Sequence, residues 1–251
     1  MNIDVAFTPF EVQAVSKKVC IIVDVLRATS TLTVVMSKNP AELLLSPTVQ
    51  KALAYASRQS IHPILCGERG GLPPQEFDYG ISPREYLGQD FSGKTLVFTS
   101  GNSARAVMDV AIAPHVLLGS FLNAETVTQK AYDLALRDHL DILVVCAGTE
   151  EKFGLDDAYC SGYLISLLAG KIPGFEGFSL GDGGQAALGI YGYYHDPTKV
   201  LKECSSGRKI IEIGQEEDID FLLSKSHFST VPILLNKDFD ETVESYFTLL
   251  T

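Results

Sequence analysis

Short apolar runs alternate with stretches of helical spacing from the N-terminus to about residue 170. Residues 3–9, 19–25, 43–45, 63–66, 94–99, 115–118 and 141–147 read as strands. Residues 28–38, 48–59, a stretch starting near Ser103, 123–137 and 155–169 read as helices, with Thr48 and Asn123 as N-caps. Apolar strands separated by helices predict an α/β fold, a mainly parallel sheet flanked by helices on both faces. Right-handed crossovers then bring the strand C-termini to one edge, where ligands bind in such sheets. The chain reads as a single domain over 1–251, with a core at 1–170. The less regular 171–251 can form a small C-terminal subdomain. In it, Gly181–Gly184 is a turn or helix start, 186–194 and 216–226 are helical, and 231–235 is a closing strand.

Four segments place polar residues where apolar strands end. They are Asp24/Arg27/Thr29/Ser30, Gly67/Glu68/Arg69/Gly70, Ser100/Asn102/Ser103/Arg105, and Gly148/Thr149 with Asp156/Asp157. The sheet argument puts all four on one edge. Carboxylates hold hard cations, arginines grip phosphate oxygens, and glycines let backbone N–H groups approach an anion. That mixture suits a phosphate ester with Mg²⁺. Each piece has a plain structural reading too. Asp24 and Thr29 can cap a helix while Arg27 sits at the surface, and Asn102 can cap the next one. Asp156 and Asp157 suit the first turn of a helix whatever their function.

Composition narrows the field. A formal net charge of −11 argues against a nucleic-acid binder, which needs clustered Lys and Arg. No run reaches the length of a membrane span, and the N-terminus lacks a signal-peptide pattern, so a cytoplasmic protein is expected. The five cysteines form no Cys-x-x-Cys pair, and the five histidines show no paired ligand spacing, which disfavours a zinc site. Phosphate-loop, dinucleotide-loop and nucleophile-elbow motifs are missing. The expected partner is a small anionic phosphorylated substrate, with no nucleic acid and no membrane; the sequence allows a homodimer without specifying one.

The motifs also match a known pattern. Val23-Asp-Val-Leu-Arg-Ala-Thr-Ser30, Gly67-Glu-Arg-Gly-Gly-Leu72, Phe77-Asp-Tyr-Gly-Ile-Ser-Pro83, Thr99-Ser-Gly-Asn-Ser-Ala-Arg-Ala106 and Cys146-Ala-Gly-Thr149 through Asp156-Asp157 and Gly162 occur in order. Over roughly residues 1–170 this resembles the 2-phosphosulfolactate phosphatase (ComB-type) family. The resemblance implies a Mg²⁺-dependent phosphomonoesterase that converts 2-phospho-3-sulfolactate to 3-sulfolactate, a step toward coenzyme M. By position it implies Asp24, Glu68 and Asp157 as catalytic carboxylates and Asp24, Glu68 and Asp156 as metal ligands. It implies Arg27, Arg69 and Arg105 as anion holders, with Thr29, Ser30, Asn102, Ser103 and Thr149 also facing the substrate. Asp24 is the best carboxylate candidate for a nucleophile and Cys160 a weaker one.

The chain departs from the family pattern at three positions. Ile81 stands where Asn is usual, and Ser103-Ala104 where Gly-Thr is usual. A polar side chain and a hydroxyl are lost, and a Cβ is gained where backbone approaches the site. These changes keep two further readings open. One is a phosphatase of the same fold acting on another phosphorylated hydroxy acid or sugar. The other is a binder of a phosphorylated or sulfonated ligand without turnover.

Overall fold

The computed structural model describes residues 1–149, 152–171, 178–235 and 249–250. In chain order the first part comprises β1 (Asn2–Ala6), β2 (Lys18–Val23), α1 (Ala28–Met36), β3 (Glu42–Ser46), α2 (Val49–Ala56), β4 (Ile64–Gly67), β5 (Thr95–Thr99) and α3 (Gly101–Asp109). The second comprises β6 (His115–Gly119), α4 (Ala124–Asp138), β7 (Asp141–Cys146), α5 (Leu155–Lys171), β8 (Ser179–Leu180), α6 (Asp182–Tyr193), α7 (Pro197–Glu203), α8 (Ser205–Glu212), α9 (Glu217–Leu222), β9 (Ile233–Leu234) and β10 (Leu249–Leu250).

The strands divide between two sheets. The larger runs β10-β9-β6-β2-β7-β1-β8, and the smaller, all parallel, runs β3-β5-β4. In the larger sheet β6, β2, β7, β1 and β8 are parallel, and β9 and β10 close one edge antiparallel. The α/β class with a mostly parallel arrangement is therefore the observed one, spread over two sheets.

Helix α1 explains how the sheets are joined. Its sequence, Ala-Thr-Ser-Thr-Leu-Thr-Val-Val-Met, is rich in β-branched residues that favour helix poorly. All nine residues are nevertheless buried. Leu32, Val34, Val35 and Met36 share one apolar core with Cys20 and Ile22 of β2, Leu43 and Leu45 of β3, and Leu96 and Phe98 of β5. Helix α3 enters the same core through Ala104, Ala106 and Val107. Burial against both sheets, rather than propensity, holds α1 in place. The hydroxyls of α1 find carbonyls: Ser30 Oγ donates to Val25 O (3.0 Å), Thr31 Oγ1 to Ile81 O (2.6 Å) and Thr33 Oγ1 to Thr29 O (2.8 Å). Beyond the sheets, α4, α5 and α6 cover the outer face of the larger one, and α2 covers the smaller.

Thr48 caps α2 as expected, accepting from Lys51 N at 3.2 Å. Helix α3 begins earlier than its spacing suggests, with Ser100 as N-cap, so Asn102 lies inside the first turn. Residues 195–215 carried no assignment from periodicity, yet they form α7 and α8. Asp196 caps α7 through Lys199 N (3.1 Å), and Pro197 occupies its first turn. The two helices meet at Gly207, where a Cβ would lie 1.6 Å from the Leu201 carbonyl oxygen. Gly207→Ala is therefore expected to lower stability by about 1–3 kcal/mol, read as a lower denaturant midpoint in equilibrium unfolding. An unchanged midpoint would show that α8 moves aside freely.

Candidate active site

The C-terminal ends of both sheets face a common cavity of ≈ 290 Å³. The larger sheet contributes Asp24 after β2 and Gly148 and Thr149 after β7, and the N-terminus of α5 adds Asp156 and Asp157. The smaller sheet contributes Glu68 after β4, and Ser100 and Asn102 at the start of α3. The four polar segments singled out from the sequence thus converge, although two different sheets supply them.

The acidic residues play different structural parts. Asp157 uses both oxygens on backbone: Val25 N donates to Oδ1 (2.9 Å) and Gly148 N to Oδ2 (3.0 Å). It bolts the loops after β2 and β7 to the head of α5. Gly148 has φ +66° there, and a Cβ would lie 2.3 Å from the Lys152 carbonyl oxygen, so the turn requires glycine. Asp24 is buried, and its Oδ2 accepts from Ser103 Oγ at 2.5 Å. Asp156 is buried at the cavity wall and accepts a hydrogen bond from Ser206. Glu68 is half-buried and accepts from Gly71 N at 2.6 Å.

Crowding raises the proton affinity of this group. Burial lifts the Asp24 carboxyl to about 6; the Ser103 hydrogen bond opposes the rise, while the charges of Asp156 and Glu68 add to it. Burial also raises Asp156. Asp157 is pushed well above the usual carboxylate range by burial, then by the charges of Asp156 and Asp24.

The arginines separate. Arg27 is buried, its Nη1 bonded to Asp218 Oδ2 (2.6 Å) and to Gln215 Oε1, and its Nη2 to Gly71 O (2.9 Å). Asp218 also accepts from Ser82 Oγ at 2.6 Å. Arg27 borders the cavity, but its charge is matched by Asp218, so it ties four segments together. Arg69 lines a neighbouring groove with Thr48, Thr99 and Gly101 rather than the main cavity. Arg105 does not line the cavity; it is exposed on α3 and stacks over the Phe10 ring at 4.8 Å. The buried face of α3 carries Ser103, Ala104, Ala106 and Val107, which turns position 105 outward.

The expected hydroxyls are also distributed. Thr29 and Ser30 are buried under the loop after β2; Thr29 Oγ1 accepts from Asp24 N (3.1 Å) and lies 2.8 Å from Gly119 O. Thr149 and Asn102 line the cavity, with Thr149 Oγ1 3.2 Å from Ser206 Oγ. The departures have visible consequences. Ser103 supplies the donor to Asp24, Ile81 adds an apolar patch to the wall, and Ala104 packs in the inter-sheet core. Cys160 is buried outside the cavity, and burial followed by the Asp157 charge pushes its thiol well above the usual range, unsuited to a thiolate nucleophile.

One wall was invisible in the motifs. Helix α8 contributes Ser205, Ser206, Lys209 and Ile210, and Ile213 follows it. The Asp196-Pro197 start and the Ser205-Ser206-Gly207 step were the available signals.

Among the described residues no group of three His, Cys, Asp or Glu side chains is placed to hold a metal ion together. Mg²⁺ is usually held by one or two carboxylates together with waters and substrate phosphate. Asp24 and Asp156, oxygen donors crowded by like charge at an open cavity, fit that kind of site.

A family model described as 2-phosphosulpholactate phosphatase matches residues 6–237. A Clostridium acetobutylicum protein named "Probable 2-phosphosulfolactate phosphatase" is 32% identical over 238 residues, 94% of this chain and 98% of that protein. Proteins of the same name from Thermus thermophilus and Deinococcus radiodurans are each 34% identical. They cover 86% and 88% of this chain and 87% and 89% of their own lengths.

Proposed function

The chain belongs to the 2-phosphosulpholactate phosphatase family of phosphoric monoester hydrolases, and on that premise we propose that it hydrolyses 2-phospho-3-sulfolactate to 3-sulfolactate and phosphate with Mg²⁺ bound at Asp24 and Asp156. The observation that carries this reading is the convergence of Asp24, Glu68 and Asp156 on one cavity at the strand ends. Held by Asp24 and Asp156, Mg²⁺ would supply Lewis-acid stabilisation of the charge that develops during phosphoryl transfer. In the proposed step water forms a bond from its oxygen to phosphorus and gives up a proton, while the bond from phosphorus to the substrate's C2 oxygen breaks and that oxygen takes up a proton to become the hydroxyl of 3-sulfolactate. Ser103 holds the Asp24 carboxylate in one orientation, and Asp157 fixes the loops on either side of it. Asn102 and Thr149 offer polar atoms to orient the phosphate.

The test is phosphate release from purified protein with 2-phosphosulfolactate and a panel of other phosphomonoesters, with Mg²⁺ and with EDTA. Metal-dependent release favouring 2-phosphosulfolactate is expected. Release from other esters alone would retain hydrolysis and discard the substrate. No release from any ester would overturn the reading.

A metal-free stability profile follows as well. Asp24 binds its proton more tightly in the fold, near pH 6, than in the unfolded chain, near pH 4. The stability this adds is present below about pH 4 and is lost as pH rises through about 6. In EDTA the melting temperature should fall between pH 5 and 7, and added Mg²⁺ should raise it more at pH 7 than at pH 5. A melting temperature indifferent to Mg²⁺ at pH 7 would remove the metal from these carboxylates.

A further inference from the structure

Among the described residues, two Lys or Arg side chains line the main cavity, Arg27 and Lys209. Arg27 is neutralised by Asp218. Lys209 is exposed on α8 and forms no ion pair with any described carboxylate. Its position follows from helical phase. Ser205, Ser206, Lys209 and Ile210 fall on one face of α8, while Gly207 is buried toward α7. The Lys209 stem crosses the turn at Gly71, its Cε 4.0 Å from where a Gly71 Cβ would stand. The rest of the wall is acidic or neutral. An anionic group on the substrate, beyond the one a metal would take, therefore meets a single uncompensated cation.

We propose that Lys209 holds the second acidic group of the substrate, the carboxylate or sulfonate remote from the phosphate, and so selects phosphate esters of acidic alcohols over those of neutral alcohols. The proposal rests on the phosphatase reading above. An ammonium on a flexible four-carbon stem suits a terminal oxyanion whose distance from the phosphate varies.

The test compares the full-length protein with its Lys209→Met and Lys209→Arg variants. Binding of 3-sulfolactate is measured by calorimetry, which needs no turnover. KM is measured for 2-phosphosulfolactate, 2-phospholactate and glycerol 2-phosphate. Lys209→Met is expected to weaken 3-sulfolactate binding, and to raise KM for 2-phosphosulfolactate, by about 10–100-fold. The rise for glycerol 2-phosphate should be at least about tenfold smaller, and Lys209→Arg should recover most of the loss. A matching rise for 2-phospholactate assigns the carboxylate to Lys209, and its absence assigns the sulfonate. Equal losses on all three esters, no loss on any, or a wild-type protein that does not bind 3-sulfolactate would overturn the proposal. Phosphate release from none of the esters, with 3-sulfolactate binding still weakened in Lys209→Met, would retire the hydrolytic reading and keep the anion subsite.

Discussion

Asp24→Asn is expected to lower turnover about a thousandfold, the loss of roughly 4 kcal/mol of transition-state stabilisation, while the fold stays intact or gains stability. The asymmetry comes from the environment of Asp24. In the resting protein burial raises the proton affinity of its carboxylate, and the like charges of Asp156 and Glu68 add to the rise. A neutral amide removes the cost of burying a charge and the repulsion with it, and its oxygen can still accept from Ser103 Oγ. The Mg²⁺ proposed at this site, by contrast, would lose an anionic oxygen ligand. Single-turnover phosphate release together with thermal melting in EDTA reads both halves. Near-normal turnover would remove Asp24 from the chemistry, and a collapsed melting temperature would make its role structural. A site that is more stable without its working charge is the usual cost of function.

The second large effect is on folding. Asp218→Ala should destabilise the protein by about 3–5 kcal/mol, because it leaves the Arg27 guanidinium buried and unpaired. Both side chains of the pair are almost fully buried, at 2% and 1% exposure. Ser82 Oγ loses its acceptor at the same time. The melting temperature should drop by roughly 10 °C. The double variant Arg27→Met/Asp218→Leu should lose less than the sum of the single variants, since no uncompensated charge remains. Additive losses would mean that the two residues act independently, contrary to the 2.6 Å contact.

The alternation of strand and helix was legible because burial imposes it on the sequence. Apolar runs such as Cys20–Val23 and Leu43–Leu45 admit few other uses. Sheet membership was not legible. β3, β4 and β5 carry the same residue types as β2 and β7, and nothing in their composition tells which neighbour each will pair with. Nor does α1 reveal its place between the sheets, since its β-branched residues suit a strand as well as a fully buried helix. In the site, Asp24, Glu68, Asp156 and Asn102 were identifiable because they follow strands or open helices. Arg69 and Arg105 sit beside the right residues in sequence yet face elsewhere, because side-chain direction depends on local phase. Lys209 was missed for the converse reason. It lies far along the chain, on a helix with no preceding strand to flag it, and only the tertiary fold brings it to the cavity.

The Arg27–Asp218 contact spans 191 positions of sequence. During synthesis Asp24 and Arg27 leave the ribosome well before Asp218, and β2 can pair with β6 and β7 before α8 and α9 exist. Until those helices arrive, Arg27 has no carboxylate to neutralise it, and the cavity lacks the wall that bears Lys209. Closure of so long a loop comes late in folding. The nascent chain therefore passes through a stage that has most of its central strands and an open, unfinished cavity. The cavity is complete only once α8 and α9 have been made, and termination before α8 would leave the strand-end carboxylates and none of the selectivity that Lys209 would confer.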